Sequence, residues 1–322
     1  MRIKSVNALM KYLRDKKNIS IGGQAQKLKL RQIGYYHGYK GYRFFNRPQN
    51  SLAYTNFNEL LSVYAFDMQL KSIMYPMLMQ LETALKNFAL EAILDECQSE
   101  KFTDIFSKVL NHHNDFSHSD KNFNSSLEKE LSLRNKIYSN LSRDYKTKLV
   151  VQHFYEKDQP VPIWAIFETT SLGEFGTLLQ CMNSACARKV ASSVGLNTSY
   201  DADGTLLTKI VFILKDLRNA VAHNDPVFDV RFKTSRPNKR IPNMLSAEMG
   251  VRNIVFETIT DYFLLVSFLL KILRFPKTDI RKFIADFQTA CDNLHKKVPF
   301  KLYSTIIHTD MRPKIASASK WL

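Results

Sequence analysis

Glycine and proline are scarce in this chain, ten of each in 322 residues. A sandwich or barrel of short strands needs a turn about every dozen residues, so the scarcity argues against that class. Cysteine is scarcer. Cys97, Cys181, Cys186 and Cys291 stand at irregular intervals with no CxxC pair and no accompanying ligand histidines, which argues against a zinc module or a disulfide framework. No long apolar run occurs either: the longest, residues 263–270, is closed by Asp261 and Lys271 and is too short to span a bilayer. Residues 1–17 alternate basic and apolar positions without a signal-peptide core. Phosphate-loop and dinucleotide fingerprints are missing. The expectation is a soluble, cytoplasmic protein with no membrane association, no metal and no cofactor.

Acidic residues are lacking from one segment in particular. Residues 1–50 hold twelve Lys and Arg against the single acid Asp15, whereas residues 91–160 hold ten basic and twelve acidic residues. The net charge of +16 is therefore concentrated at one end, which points to a polyanionic partner. The same end carries the aromatic run Gly34-Tyr35-Tyr36-His37-Gly38-Tyr39-Lys40-Gly41-Tyr42-Arg43-Phe44-Phe45. Tyr35 and Tyr36 with Lys40 and Arg43 can stack unpaired bases and hold phosphates. The rings can equally pack the start of the domain, and mixed use is expected, rings mostly inward and cations outward. A second basic stretch, residues 231–252, reads as a loop offering Arg231, Lys233, Arg236, Lys239 and Arg240 to nucleic acid.

Elsewhere the periodicity is helical. Apolar residues recur at threes and fours over 57–96, where Pro76 should kink or split the helix. Asp67 with Lys71 and Glu82 with Lys86 have helix-supporting spacing. Residues 111–126, with His112, His113, Asp115, His118 and Asp120, read as an exposed connector rather than a metal site. Helix is predicted over 127–155, over 163–182 with an interruption near Gly173 and Gly176, from about Leu206 until Pro226, and over 251–273, followed by a short basic helix. Asp201 and Asp203 offer caps to the third of these.

The chemistry concentrates in Leu217-Arg218-Asn219-Ala220-Val221-Ala222-His223-Asn224. Asn219 and His223, four apart, share one side of a helix end, and the long Arg218 side chain can swing to the same opening. Cleavage of RNA through its 2′-hydroxyl needs proton transfer to and from oxygens and positive charge on the phosphate. Imidazole titrates in the right range, and guanidinium grips phosphate through two parallel bonds. By itself the spacing also fits a capping histidine beside a surface arginine.

The stretch 217–224 resembles the Arg-x4-His signature of HEPN domains, in the form found in abortive-infection proteins of the AbiD/AbiF type. Three further segments are similar to that family in the expected order: Ile33-Gly34-Tyr35-Tyr36 through Phe44; Tyr64-Ala65-Phe66-Asp67-Met68-Gln69-Leu70-Lys71 with Gln80-Leu81-Glu82; and Pro162-Ile163-Trp164-Ala165-Ile166-Phe167-Glu168 with Leu172-Gly173-Glu174-Phe175-Gly176. Lys71 and Lys86 depart from it, standing where arginine is expected. The resemblance implies an all-α fold: a basic aromatic segment over 1–50, a HEPN-like helical core over 51–230, and a C-terminal helical extension over 231–322. It implies an endoribonuclease of antiphage defence or a toxin–antitoxin pair, with Arg218, Asn219 and His223 catalytic and Glu82 and Asp67 in support. Trp164 and Glu168 are expected to pack. RNA is the implied partner, as substrate and as a small inhibitory RNA. One motif per chain implies a homodimer with a shared cleft. The alternative is a non-catalytic module that holds a small structured RNA.

Overall fold

The apolar periodicity is realised as fifteen α-helices in the computed structural model, which describes residues 5–322; residues 1–4, the head of the basic segment, lie outside the described residues. In chain order they are α1 (Val6–Lys17), α2 (Gly23–Ile33), α3 (Phe57–Cys97), α4 (Phe102–Lys108), α5 (Lys121–Asp144), α6 (Leu149–Glu156), α7 (Ile163–Thr169) and α8 (Leu172–Cys181), then α9 (Ser184–Val194), α10 (Leu206–Ala222), α11 (Arg240–Met249), α12 (Ile259–Ile272), α13 (Lys277–His295), α14 (Phe300–Ile306) and α15 (Met311–Trp321). Helix makes up 70% of the structure, and no strand occurs among the described residues. The fold is all-α.

The 41-residue α3 is the spine. Asn56 starts it with a capping box: its side chain accepts the Glu59 N–H at 3.1 Å, and the Glu59 carboxylate accepts the N–H groups of Thr55 and Asn56. Pro76 does not split the helix as its chemistry suggests. Pro76 and Ser72, whose carbonyl loses its helical partner, are both exposed, on a face where water can reach a freed oxygen. Around α3 pack α7, α9, α10, α12 and α13, with α8 laid along α10.

Several boundaries differ from the sequence reading. The helix expected over 127–155 is two, α5 and α6, parted after Asp144. The break within 163–182 falls at Thr170 and Ser171, where the Ser171 hydroxyl caps α8, and not at the glycines. Gly176 instead lets α8 approach α10: a Cβ there would meet the Phe212 ring at 3.0 Å. The basic stretch 231–252 contains α11 and is not a loop throughout. The helix after α12 is the 19-residue α13, which is not short.

Residues 231–322 do not stand apart. Residues 259–270 of α12, mostly apolar, are buried on every side, and α12 and α13 both lie on α3. Buried side chains form one cluster from Met10 to Leu322. Within it, Lys314 of α15 meets the fully buried Asp261 at 2.8 Å, and Asp261 also accepts the N–H groups of Val255 and Phe256.

The start of α10 rests on Gly204, whose φ of +70° is left-handed. A Cβ there would lie 2.5 Å from the Ala187 carbonyl carbon and 2.6 Å from the Arg188 nitrogen, both backbone atoms of α9. Gly204→Ala is expected to lower unfolding free energy by more than about 2 kcal/mol, since strain and backbone collision add. A urea melt of the variant beside the parent checks it.

Candidate functional site

The motif sequence is explained by how α10 ends. The helix stops through a left-handed cap and not through Pro226. Asn224 takes φ 60°, the Asp225 N–H reaches back to the Ala220 carbonyl at 2.9 Å, and the Asn224 N–H reaches Val221 at 3.4 Å. Asparagine tolerates that conformation better than most residues, and proline commonly follows such a cap. His223 is thereby held as the cap residue just after α10, its N–H on the Asn219 carbonyl at 2.9 Å and the residue exposed to solvent. It stands at the carbonyl end of α10, the negative pole of the helix dipole.

Alongside, α3 runs antiparallel and matches this helix end residue by residue. Arg218 places Nε at 3.1 Å and Nη2 at 2.9 Å from Glu82 Oε2, and Nη1 at 3.1 Å from Asn219 Oδ1. Lys86 holds the other oxygen of Glu82 at 3.0 Å and donates to the Thr170 carbonyl at 2.7 Å. Eleven residues before Glu82, three turns or about 16 Å along the helix, Lys71 donates to Asn224 Oδ1 at 2.9 Å. The Arg218 side chain keeps 23% exposure, so it is braced yet reachable.

Asp67 fastens three segments at once. Fully buried, it accepts the N–H groups of Val227 and Phe228, each at 2.8 Å, the Tyr42 hydroxyl at 2.7 Å and the Lys71 ammonium at 2.7 Å. Burial and the adjacent carboxylate push the Tyr42 phenol far above its ordinary range, so it stays a neutral donor. Tyr42 also stacks on Phe228 with centroids 5.4 Å apart. Further on, Asp229 accepts the Asn46 N–H and pairs with Arg231, while burial pushes its carboxyl up against the opposing pull of that guanidinium. The aromatic N-terminal segment is thus docked on the helix end by buried carboxylates, which explains why it packs there.

Two clefts open at the ends of this arrangement. One, about 450 Å³, is lined by Arg218, Glu82, Lys86, Trp164, Phe167 and Glu168 among others. Trp164 and Glu168, expected to pack, therefore also face the motif arginine; the indole N–H bonds Glu100 at 3.3 Å. The other cleft, about 410 Å³, gathers Tyr36, His37, Lys40, Arg43, Phe44, Asn224 and Arg231 at the far side of the helix end. Residues distant in sequence, four of them nucleic-acid candidates, meet here.

The remaining candidates are not all available. Tyr35 is half-buried, stacked on Tyr39 at 5.5 Å, and lines neither cleft. Lys233 bonds the Phe256 carbonyl and Glu257, and Arg240 bonds Asp203 and Thr205, so both are engaged in holding the fold. Arg236 lines a separate groove with Lys209, Lys215 and Lys233, and Lys239 is an exposed position ahead of α11. Asp201 caps α10 by accepting the Leu206 N–H at 2.8 Å. His113 meets Glu130 at 2.6 Å, and Asp115 accepts from Ser184 at the start of α9; no cluster of metal-ligating side chains occurs among the described residues. The four cysteines are buried free thiols. No helix of the described residues is long and apolar enough to cross a membrane.

Sequence reading missed His37, Lys209 and Lys215 as site-lining groups, and it missed Asn224 as the partner of Lys71. Only the Asn-Asp-Pro run after the histidine signalled a cap, and nothing local pointed to Lys71. No curated protein and no solved structure matches the chain. The family model of the Abi-like proteins matches residues 28–229, from the aromatic segment to the turn that Asp67 fastens. The match spans well over half of the sequence and all of the paired geometry of α3 and α10, and the chain belongs to the Abi-like protein family.

Proposed function

We propose that this protein is a metal-independent endoribonuclease of the HEPN type, of the AbiD/AbiF kind, acting in bacterial abortive infection or as the toxin of a toxin–antitoxin pair. Family membership supports the antiphage role. One observation carries the catalytic reading: a guanidinium bonded to an amide stands near the end of a helix that an exposed histidine caps, and the guanidinium is braced there by a carboxylate of the neighbouring helix.

In this reading the 2′-oxygen of a ribose attacks the adjacent phosphorus, the O2′–P bond forms and the P–O5′ bond breaks. Arg218 and the Asn219 amide stabilise charge on the phosphoryl oxygens as it builds. His223 delivers the proton to the departing 5′-oxygen, and the imidazole of a second copy takes the proton from the 2′-hydroxyl. A homodimer with a shared cleft supplies both imidazoles, since each chain has one motif. Glu82 and Asp67 are positioning residues: the first aims Arg218, the second fixes the turn that follows His223. RNA is the partner, and the protein works in the cytoplasm without a cofactor.

The test is RNA cleavage by the full chain in EDTA. Products ending in 2′,3′-cyclic phosphate, lost in His223→Ala while the fold persists, are expected; a strict need for Mg²⁺ would refute the mechanism. A second reading, a non-catalytic module holding a small structured RNA, draws on the Arg218–Glu82 pair, which occupies two of the guanidinium donors. Its signature is tight binding that weakens steeply with salt and never leads to cleavage.

A further inference from the structure

The cleft beyond the helix end has a chemistry of its own. Its wall from the N-terminal segment is a π-helix, Gly34–Lys40, that turns successive tyrosines in different directions. Tyr39 is buried and Tyr35 stacks on it, but Tyr36 stands 71% exposed, with the His37 ring set edge-to-face to it. The Lys40 ammonium sits 5.7 Å from the Tyr36 centroid. Facing it are Arg43, Arg231 and Asn224, with Asp225 the one acid on the rim. Arg231 lies 4.3 Å over the Phe44 ring and is anchored through Asp229, so its position is set in advance.

An exposed ring beside three cations is the arrangement that holds an unpaired nucleotide, the ring for the base and the cations for the phosphates. Its volume of about 410 Å³ lies within the range of ligand clefts. One carboxylate, Asp67, ties together the two segments that line the cleft, through Tyr42 in one and Val227 and Phe228 in the other. Asn224, in the lining, directly follows His223.

We propose that this cleft is the subsite for an unpaired nucleotide flanking the cleaved link, with its base on Tyr36 and its phosphates on Lys40, Arg43 and Arg231. The substrate class is then single-stranded or looped RNA and not continuous duplex, whose bases stay stacked on each other. This assignment rests on the ribonuclease reading above.

The experiment uses the full chain carrying His223→Ala, with a fluorescein-labelled single-stranded RNA 12-mer, the same strand in a blunt duplex, and a polyglutamate peptide, read by anisotropy at several salt concentrations. The single strand is expected to bind at least about tenfold tighter than the duplex. Tyr36→Ala should weaken it by about tenfold or more while Tyr36→Phe keeps the affinity. Lys40→Ala or Arg43→Ala should lower the salt slope by about one each. Equal affinity for strand and duplex, a silent Tyr36→Ala, or tighter binding of the acidic peptide would overturn the assignment. Cleavage assays separate the two failures. If chains with His223 intact cut RNA with the same KM whether or not Tyr36 is alanine, the subsite is wrong and the ribonuclease stands. If they cut no RNA, the catalytic reading falls.

Discussion

Arg218→Lys is expected to lose nearly as much RNA cleavage as Arg218→Ala, a drop of about 10²–10³-fold in kcat for either. Charge is not what lysine lacks. The guanidinium meets Glu82 with Nε and Nη2 and the Asn219 side chain with Nη1, so three donors in one plane fix its attitude. An ammonium on a flexible stem cannot reproduce that fork, and a phosphate meeting it would find a mobile point charge. The fold should survive, because Glu82 keeps Lys86 at 3.0 Å. Single-turnover cleavage measured beside circular dichroism melts checks both halves. A well-folded Arg218→Lys protein that cuts at the parental rate would remove the fork from the mechanism.

Asp67→Asn is expected to destabilise the protein by about 3–5 kcal/mol, the range for breaking one side of a buried ion pair. Asparagine retains an oxygen for the N–H groups of Val227 and Phe228. It cannot neutralise Lys71, which is only 5% exposed and would keep one neutral partner, Asn224. It also presents an amide where the Tyr42 hydroxyl donates. Lys71→Met in the same background should restore part of the loss, since the stranded charge is then gone, but not the Tyr42 contact. Urea denaturation of the two single variants and the double closes the cycle. Full additivity would show that the Asp67–Lys71 pair carries no coupling.

The comparison of sequence with structure turns on what periodicity can and cannot encode. Leu206, Leu207, Ile210, Val211, Leu214, Leu217 and Val221 form one stripe of α10, and all are buried. The stripe is legible because a helix repeats every 3.6 residues whatever it packs against. The glycines of α8 were misread, and α3 runs on through Pro76 without the split that was one of the two outcomes expected, because local punctuation rules ignore surroundings. Pro76 lies on an exposed face of α3, and Gly176 is there to admit the Phe212 ring. The basic positions divide in the same way: composition cannot distinguish Lys233 and Arg240, tied to Phe256, Glu257, Asp203 and Thr205, from Lys40 and Arg43 at a cleft.

By itself the sequence determined that the chain is helical, that one end is strongly basic, and that an Arg-Asn-His series closes a helix. Those properties depend on neighbours a few residues apart. Tertiary structure alone decided that Glu82 aims Arg218 across 136 positions of chain and that Asp67 joins Tyr42 to Val227 and Phe228. The reason is physical: a buried carboxylate must find several donors, and which donors reach it follows from how separate segments pack, not from the order of residues along any one of them.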